Sequence, residues 1–142
     1  MKESTTKKLL KERKLRITTV RNEILSIFND RNYALSFYDL EKELKTKFDT
    51  ATIYRTINTF VENNIIHQIP LESKTAYYAL NSVLEEDENS RKEHIHFLCR
   101  ICRRTYCLEN VIIKDLKINK NFRLESLKII AEGVCDNCGA IS

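Results

Sequence analysis

Two Cys-x-x-Cys motifs constrain this chain more than any other feature. The first spans Cys99 to Cys102, and the second spans Cys135 to Cys138. Four thiols in two such pairs are the usual ligand set of a closed, tetrahedral zinc site that joins two distant segments. The sequence therefore predicts a structural zinc ion bound by all four of these cysteines.

The expected compartment favours metal over disulfides. Residues 1–8 lack the apolar core of a signal peptide, and no apolar run approaches the ~18 residues of a membrane span. We therefore expect a cytoplasmic protein with no membrane partner, where a reducing environment disfavours structural disulfides. Cys107, the fifth of five cysteines, would stay unpaired if the other four formed disulfides.

Positive charge is concentrated in the first half of the chain. Residues 1–70 hold 13 Lys and Arg against 9 Asp and Glu, whereas residues 71–142 hold 11 of each. The whole formal excess of +4 therefore precedes residue 71. Such a distribution is typical of nucleic-acid binding, although a solvated helix face has a similar composition.

Start signals for helices recur through this basic half. Hydroxyl and carboxylate side chains precede apolar residues at helical spacing, where they can accept hydrogen bonds from free backbone amides. The predicted elements are a short basic helix from Thr5 to Lys14, a helix that follows Thr18 and ends near Asn29 and Asp30, one that begins with a Ser36/Asp39 capping box, and one capped by Asp49. The last three in tandem predict a helix-turn-helix.

The helix after Asp49 has two distinct faces at about 100° per residue. Its predicted apolar face comprises Ile53, Ile57, Phe60 and Val61. The opposite face comprises Ala51, Arg55, Asn58, Thr59 and Glu62, with Tyr54 on the shoulder. Small, polar and basic side chains suit a helix that enters a DNA major groove, and a generic amphipathic helix is the alternative.

The rest of the chain is predicted to be mostly strand. Two apolar runs, 65–70 and 75–80, flank a short polar segment and predict a β-hairpin, which completes a winged helix. Residues 81–93 are strongly polar and predict a hinge. Strand-like patterns follow from His94, over 104–108 and over 127–134, with a short helix predicted over 109–116.

The predicted fold class is therefore α+β. A winged helix-turn-helix domain occupies residues 1–80, a hinge 81–93, and a small α/β zinc-containing dimerisation domain 94–142. The last domain is too small for a large core, so we expect zinc and self-association to stabilise it.

Four motifs, in this order, closely resemble the ferric uptake regulator family. They are Leu15-Arg-Ile-Thr-Thr-Val-Arg21, Thr50-Ala-Thr-Ile-Tyr-Arg-Thr-Ile-Asn58, His94-Ile-His-Phe-Leu-Cys-Arg-Ile-Cys102 and Cys135-Asp-Asn-Cys-Gly139. The resemblance covers residues 9–139, nearly the whole chain. It implies a homodimeric repressor of metal homeostasis genes. Such a repressor binds double-stranded operator DNA when a regulatory metal positions its two winged helices. It would have no small organic substrate.

The resemblance also implies roles for individual residues. Arg21, Tyr54 and Arg55 would contact DNA, and the four paired cysteines would bind the structural zinc. The full set that we expect at the DNA interface is Arg16, Thr18, Arg21, Thr52, Tyr54, Arg55 and Asn58.

The chain departs from the family pattern at four positions. Arg103 replaces a common glycine after the first Cys-x-x-Cys motif, which we expect to weaken the turn slightly. A frequent metal-binding histidine is replaced near Ala34, an acidic ligand near Tyr78, and a carboxylate by Cys107. These last three changes alter the expected regulatory metal site.

We predict that the altered regulatory site uses His67, His94, His96 and Cys107. Three nitrogens and one sulfur suit zinc better than a hard ion, although iron(II) and manganese(II) stay open. Acidic residues are possible substitutes: Glu93, Glu109 and those at 85–88. The alternative roles are a hydrogen bond to backbone for His67 and a small buried apolar residue for Cys107.

Three other functions compete with this interpretation. A zinc deaminase would need a glutamate two residues after its histidine and an open metal position, and neither is predicted here. A peroxide-sensing regulator of the same family would need iron in a nitrogen and oxygen site, which Cys107 and Tyr78 disfavour. A constitutive zinc-ribbon adaptor that binds protein leaves Arg21, Tyr54 and Arg55 unexplained.

Overall fold

The computed structural model describes residues 2–69, 74–81, 93–108, 118–123 and 127–139, with backbone alone for 2–4, 93–94 and 127–128. The chain divides into two compact units, residues 1–83 and 84–142. The fold is α+β, as predicted. Across the described residues, each helix is too short or too polar to cross a membrane.

The described part of the first unit contains four helices: α1 Lys2–Glu12, α2 Thr19–Arg31, α3 Phe37–Leu44 and α4 Thr50–Glu62. The last three begin where the sequence places their caps, whereas α1, predicted from Thr5 to Lys14, lies two to three residues earlier in the chain. The hydroxyl of Thr18 accepts the amide of Arg21 at 3.3 Å, and the carboxylate of Asp49 accepts the amide of Thr52 at 3.0 Å. At α3, the predicted capping box between Ser36 and Asp39 is complete. Local sequence therefore determines where three of the helices start.

Helix α2 extends slightly beyond its predicted end. It stops at Arg31, and Asn32 follows with a positive φ of 58°. Asparagine tolerates this left-handed conformation, which ends a helix by turning the backbone away from its axis. The polar pair at 29 and 30 therefore belongs to the last turn.

A three-stranded antiparallel sheet completes the first unit. Its strands are β1 Leu35–Ser36, β2 Ile66–Gln68 and β3 Tyr77–Leu80, in the order β1-β3-β2. Pairing of β2 with β3 confirms the predicted hairpin, while residues 70–73, which include most of the predicted turn at 71–74, lie outside the described residues. Strand β1 was not predicted, because two residues are too few to show an alternating pattern.

The core of the first unit forms between its helices and the sheet. Its fully buried members include Leu10 of α1, Ile24 of α2, Leu40 of α3 and Phe60 of α4, each 0% exposed. On α4 the predicted apolar face is confirmed, with Val61 partly buried at its edge. Thr56 is also buried, and its hydroxyl donates to the carbonyl of Thr52 at 2.8 Å. This hydrogen bond within the helix satisfies the buried Thr56 hydroxyl. The sequence periodicity did not predict that Thr56 is buried.

The second unit contains a mixed sheet. Its elements are β4 Glu93–Cys99, β5 Thr105–Leu108, β6 Leu127–Gly133 and the short α5 Asp136–Gly139. Strand β4 is central, antiparallel to β5 and parallel to β6. The three predicted strands are confirmed to within one residue. The predicted helix at 109–116 and most of the hinge at 81–93 lie outside the described residues.

Candidate metal centres and nucleic-acid interface

The four paired cysteines converge at one end of the β4-β6 pair. Cys99 ends β4 opposite Gly133, and Cys135 follows two residues later. The four sulfurs all lie within 4.8 Å of one another, and those of Cys102 and Cys135 are 3.9 Å apart. Sulfurs bound tetrahedrally at about 2.3 Å from zinc are about 3.8 Å apart. The arrangement therefore fits a four-coordinate metal ion.

The backbone prepares part of this cluster for ionisation. The amide of Cys135 donates to the sulfur of Cys99 at 3.4 Å. Together with the amide of Cys102, this bond lowers the pKa of Cys99 to about 6. In contrast, a hydrogen bond with the Cys135 side chain and burial raise the pKa of Cys138 to about 12. One thiolate forms readily, whereas thiolate character at all four positions calls for a bound cation.

Tyr106 is a neighbour of the cluster that sequence reasoning missed. Burial and a hydrogen bond to Cys135 raise the pKa of its phenol to about 12. The phenol donates to the sulfur, which adds to the effect of the Cys138 amide in lowering the pKa of Cys135. Strand periodicity alone contains no signal for this contact, since it depends on how β5 meets the segment after β6.

The turn after the first cysteine pair has a left-handed backbone at Arg103. Its φ is 65°, and its amide donates to the carbonyl of Cys99 at 2.9 Å. Glycine adopts this conformation without steric cost, whereas arginine adopts it only at a steric cost. The departure noted in the sequence therefore falls at a position where the side chain strains the turn.

A second group of metal-binding side chains crosses from β4 to β5. His96 is 3% exposed and stands opposite Cys107 in the strand register. Its Nδ1 lies 3.5 Å from the sulfur of Cys107. The backbone of His94 pairs with Lys128, while its side chain is outside the described atoms. The register thus brings together two of the four residues predicted for the regulatory site.

His67, the remaining predicted ligand, lies on β2 in the first unit. Its Nδ1 donates to the side-chain oxygen of Asn81, whose amide nitrogen in turn donates to the carbonyl of Asn64 at 2.6 Å. The ring is therefore oriented by a side chain and not, in this bond, by backbone. Sequence analysis did not identify Asn81 as a partner.

Four of the seven residues expected at DNA lie on α4. Tyr54 is 57% exposed, Arg55 and Asn58 are exposed, and Thr52 is partly buried. The Nε of Arg55 donates to the carbonyl of Ala51 at 3.3 Å, which directs the side chain towards the start of the helix. Its charge, after the hydrogen bonds from Thr52, helps to lower the pKa of Asp49.

Three further predicted DNA residues lie at the start of α2. Arg16 is exposed, whereas Thr18 and Arg21 are partly buried. The guanidinium of Arg21 donates through Nη1 to the carbonyl of Arg16 at 2.8 Å. This hydrogen bond holds the segment that contains Arg16 against the start of α2. The predicted contact of Arg21 with DNA would be a second role.

Known proteins resemble nearly the whole chain. A ferric uptake regulation protein from Campylobacter upsaliensis is 27% identical over 93% of this chain and 85% of its own length. A zinc uptake regulation protein from Escherichia coli K12 is 26% identical over 97% and 85%, respectively. A solved zinc uptake regulator in complex with zinc and DNA is 25% identical, with a TM-score of 0.65 over 98% of this chain and 93% of that one. The family model described as the ferric uptake regulator family matches residues 12–129.

Proposed function

Because the chain belongs to the ferric uptake regulator family, we propose that it is a metal-responsive transcriptional repressor of metal homeostasis genes. It binds operator DNA as a homodimer when a regulatory site in each protomer holds a divalent metal. Proteins of this family are transcription regulators and not enzymes. We place this activity in the cytoplasm, where operator DNA would be accessible.

The observation that carries the DNA-binding part is the exposed surface of α4. A helix in a winged helix-turn-helix reads bases through side chains near its N-terminal half. Here that half presents Tyr54 and Arg55 to solvent, and Asn58 is exposed one turn later, while Ile53 and Ile57 anchor the helix in the core. Arginine offers bidentate hydrogen bonds to guanine, and asparagine to adenine. The surface therefore has the chemistry to read a DNA sequence.

DNA binding is tested with a duplex selected from a random pool by the metal-loaded protein. We expect salt-sensitive binding, with the affinity of Arg55→Ala reduced about tenfold or more, since one good base contact contributes about 1–3 kcal/mol. Lys120→Ala, which also removes one exposed positive charge but lies in the second unit, is the matched control. Failure to enrich any duplex, or equal affinities for Arg55→Ala and the wild type, would overturn the proposal.

We assign zinc to the four-cysteine cluster as a structural ion. The spacing of the sulfurs supports this assignment, and four thiolates leave no open position for substrate or water. When bound, zinc holds the end of β4 against the segment after β6. The role of this ion is to stabilise the second unit.

We assign the regulatory metal to His67, His94, His96 and Cys107. Support comes from the 3.5 Å separation of the His96 and Cys107 side chains and from the burial of His96. Imidazole and thiolate ligands favour zinc over manganese or magnesium. Iron(II) and manganese(II) remain test metals because the family includes ferric uptake regulators.

Metal stoichiometry per protomer tests this second site directly. We expect the wild type to bind more than one metal ion, and His94→Ala with His96→Ala to lose the ion that is not held by the four cysteines. Asn137→Ala, within the second cysteine pair but not a ligand, is the control for general damage. An unchanged count in the double variant would exclude these histidines as ligands.

The proposed homodimer is assigned to the second unit. Leu108 on β5 and Ile130 on β6 are large apolar side chains with 37% and 38% exposure, and the strand register places them on opposite faces of the sheet. Burial of such side chains stabilises association. Sedimentation of Leu108→Lys and of Ile130→Lys, each compared with the wild type, tests which face contributes: a shift to monomer in either variant supports the assignment, and dimers in both would contradict it.

A further inference from the structure

Asn81 extends the β2-β3 hairpin by one residue beyond the end of β3. Its backbone amide donates to the carbonyl of Ile65 at 2.9 Å, and Ile65 is 1% exposed. In the strand register His67 stands opposite Ala79, so Asn81 is its diagonal neighbour on the adjacent strand. Side chains related in this way lie on the same face of a sheet and are close enough to touch. The hairpin therefore places the side-chain amide of Asn81 beside the imidazole of His67.

A backbone carbonyl fixes the orientation of the Asn81 side-chain amide. The nitrogen Nδ2 of Asn81 lies 2.6 Å from the carbonyl oxygen of Asn64. Because a carbonyl oxygen accepts hydrogen bonds and cannot donate one, the nitrogen end of the amide must face Asn64. The oxygen Oδ1 then faces Nδ1 of His67, with which it forms a hydrogen bond. Since Oδ1 also can only accept, the proton of this bond is on Nδ1.

This proton determines which ring nitrogen of His67 can bind a metal ion. In a neutral imidazole one nitrogen carries the proton, and the other has the lone pair in the plane of the ring. With the proton on Nδ1, the lone pair is on Nε2. Metal ions bind histidine through this lone pair, while the partner of the opposite nitrogen fixes the tautomer and the orientation of the ring. Asn81 therefore makes Nε2 the nitrogen that is able to act as a ligand.

The carbonyl that orients Asn81 is itself held by the fold. Asn64 lies in the turn between α4 and β2 with a φ of 56°, a left-handed conformation that asparagine tolerates. The amide of the next residue, Ile65, donates to the carbonyl of Phe60 at 2.9 Å, and both of these side chains belong to the core. Hydrogen bonds thus connect the end of α4, through this turn and Asn81, to the imidazole. The core of the first unit supports the amide from behind.

We propose that Asn81 is a positioning residue for the regulatory metal, which holds His67 in the Nδ1-protonated tautomer with Nε2 as the ligand atom. The inference rests on the proposed function, in which His67 is one of the regulatory ligands. A carbonyl or carboxylate oxygen often has this role behind a metal-binding histidine. Asn81 acts through His67 and does not contact the metal. The competing role is purely structural: the amide would only tie the end of β3 to the turn before β2.

The experiment compares variants of the full-length protein whose four-cysteine site is loaded with zinc. Asn81→Leu removes both side-chain hydrogen bonds, whereas Asn81→Asp keeps an oxygen that accepts from Nδ1 of His67. The side chain of Asn63, in the same turn, donates to the carbonyl of Thr59 at 2.7 Å. Asn63→Leu is therefore the matched control for loss of an asparagine-to-carbonyl hydrogen bond. Thermal melting verifies that each variant is folded.

Two quantities are measured at about pH 8, above the usual histidine pKa of about 6.5, so that the imidazole is neutral. Nitrogen NMR of the His67 ring identifies the protonated nitrogen, with and without zinc in the regulatory site. Competition with a chelator gives the zinc affinity of that site. In the wild type we expect the proton on Nδ1 both before and after zinc is added.

In Asn81→Leu we expect the proton to be shared between the two ring nitrogens and the zinc affinity to fall about tenfold, as is typical when a partner of a metal ligand is lost. Asn81→Asp keeps the proton on Nδ1 and binds zinc at least as tightly as the wild type, because a carboxylate is the stronger acceptor. Asn63→Leu resembles the wild type in both quantities, even where its melting temperature falls. A purely structural role would move the melting temperature of both leucine variants and the tautomer of neither.

The inference fails, and the proposed function stands, if either the tautomer or the zinc affinity is unchanged in Asn81→Leu. An equal loss of affinity in Asn63→Leu also overturns it, because the loss would then report damage to the turn. Loss of the Nδ1 proton when zinc binds to the wild type would show that the metal uses the other ring nitrogen, which contradicts the assignment.

His67→Ala separates this inference from the proposed function. Tenfold or greater loss of zinc affinity in His67→Ala, together with the changes expected for Asn81→Leu, supports both. Wild-type affinity in His67→Ala would show that His67 is not a ligand, so the inference would fail while His94 and His96 stay under their own test. If the wild type binds only the zinc of the four cysteines, the regulatory site and the inference fail together.

Discussion

Tyr106 influences how readily one metal ligand loses its proton. The backbone amide of Cys138 is the main cause that lowers the pKa of Cys135, and a hydrogen bond from the Tyr106 phenol adds to it. Metal binding requires thiolates, so affinity falls as pH drops through the pKa values of the ligands. A neighbour that favours thiolate therefore extends metal binding to lower pH.

Replacing Tyr106 with phenylalanine tests this effect. The pKa of Cys135 rises without the donor, so the pH at which half of the zinc is released also rises. At neutral pH we expect zinc affinity to fall about tenfold, the lower end of the range for lost neighbours of metal ligands. Competition with a chelator between pH 5 and pH 8 measures the change, with Tyr77→Phe as the control. Identical release curves for Tyr106→Phe and the wild type would exclude the role.

Arg103 offers a second test at a single residue. Its φ of 65° disfavours β-branched side chains, which collide with the backbone in the left-handed region. Arg103→Val is therefore expected to lower the free energy of unfolding of the zinc-loaded protein by about 1 kcal/mol more than Arg100→Val. Arg100 is an exposed arginine in the same turn, so both variants lose one charge. Equal denaturant midpoints for the two valine variants would contradict this account.

Helix α4 depends on the carboxylate of Asp49 at its start. Hydrogen bonds from Thr52 lower the pKa of Asp49 in the folded protein. The stabilisation is therefore complete above the unfolded pKa of about 3.9 and is lost as pH falls through the lower, folded value. The cap couples the order of α4, the proposed recognition helix, to the charge state of one side chain.

We expect Asp49→Ala to lower the melting temperature at pH 7 and Asp49→Asn to retain most of the stability, because asparagine also caps helices. The difference between wild type and Asp49→Asn should change as pH falls below about 4, where the carboxylate takes up a proton. Melting curves from pH 7 to pH 2.5 measure this dependence. A constant difference across that range would show that the charged cap contributes nothing.

The elements differ in how far local sequence determines them. Helices α2, α3 and α4 were predictable because Thr18, Ser36 and Asp49 cap them through contacts within four residues. Strand β1 was not, since Leu35 and Ser36 become a strand only by pairing with β3. The four cysteines were predictable from spacing, whereas the contact of Tyr106 with Cys135 depends on packing between elements.

For the whole molecule, the proposed structural zinc makes the second unit dependent on metal. Its sheet is short, and two of its ligands, Cys99 and Cys135, are buried. The first unit has four helices and a core of its own. We therefore expect metal removal to unfold the second unit selectively.

Hydrogen exchange after treatment with a strong chelator tests this dependence. We expect amides of β4 and β6 to lose protection, while those of α2 and α4 keep it. Cys135→Ser should reproduce the loss without a chelator, and Cys107→Ser, outside the cluster, should not. Persistent protection of β4 and β6 in the chelated protein would contradict a structural role for the ion.

In the proposed function, metal binding and DNA binding are coupled. This coupling is measured as the affinity of protein depleted of its regulatory metal for the selected duplex, titrated separately with zinc, iron(II), manganese(II) and nickel(II). We predict that at least one metal, with zinc favoured by the His96 and Cys107 ligands, raises affinity tenfold or more, about 1.4 kcal/mol of coupling. Equal affinity with and without every metal would contradict the account, and would mean that the replacements at Ala34 and Tyr78 have removed the switch.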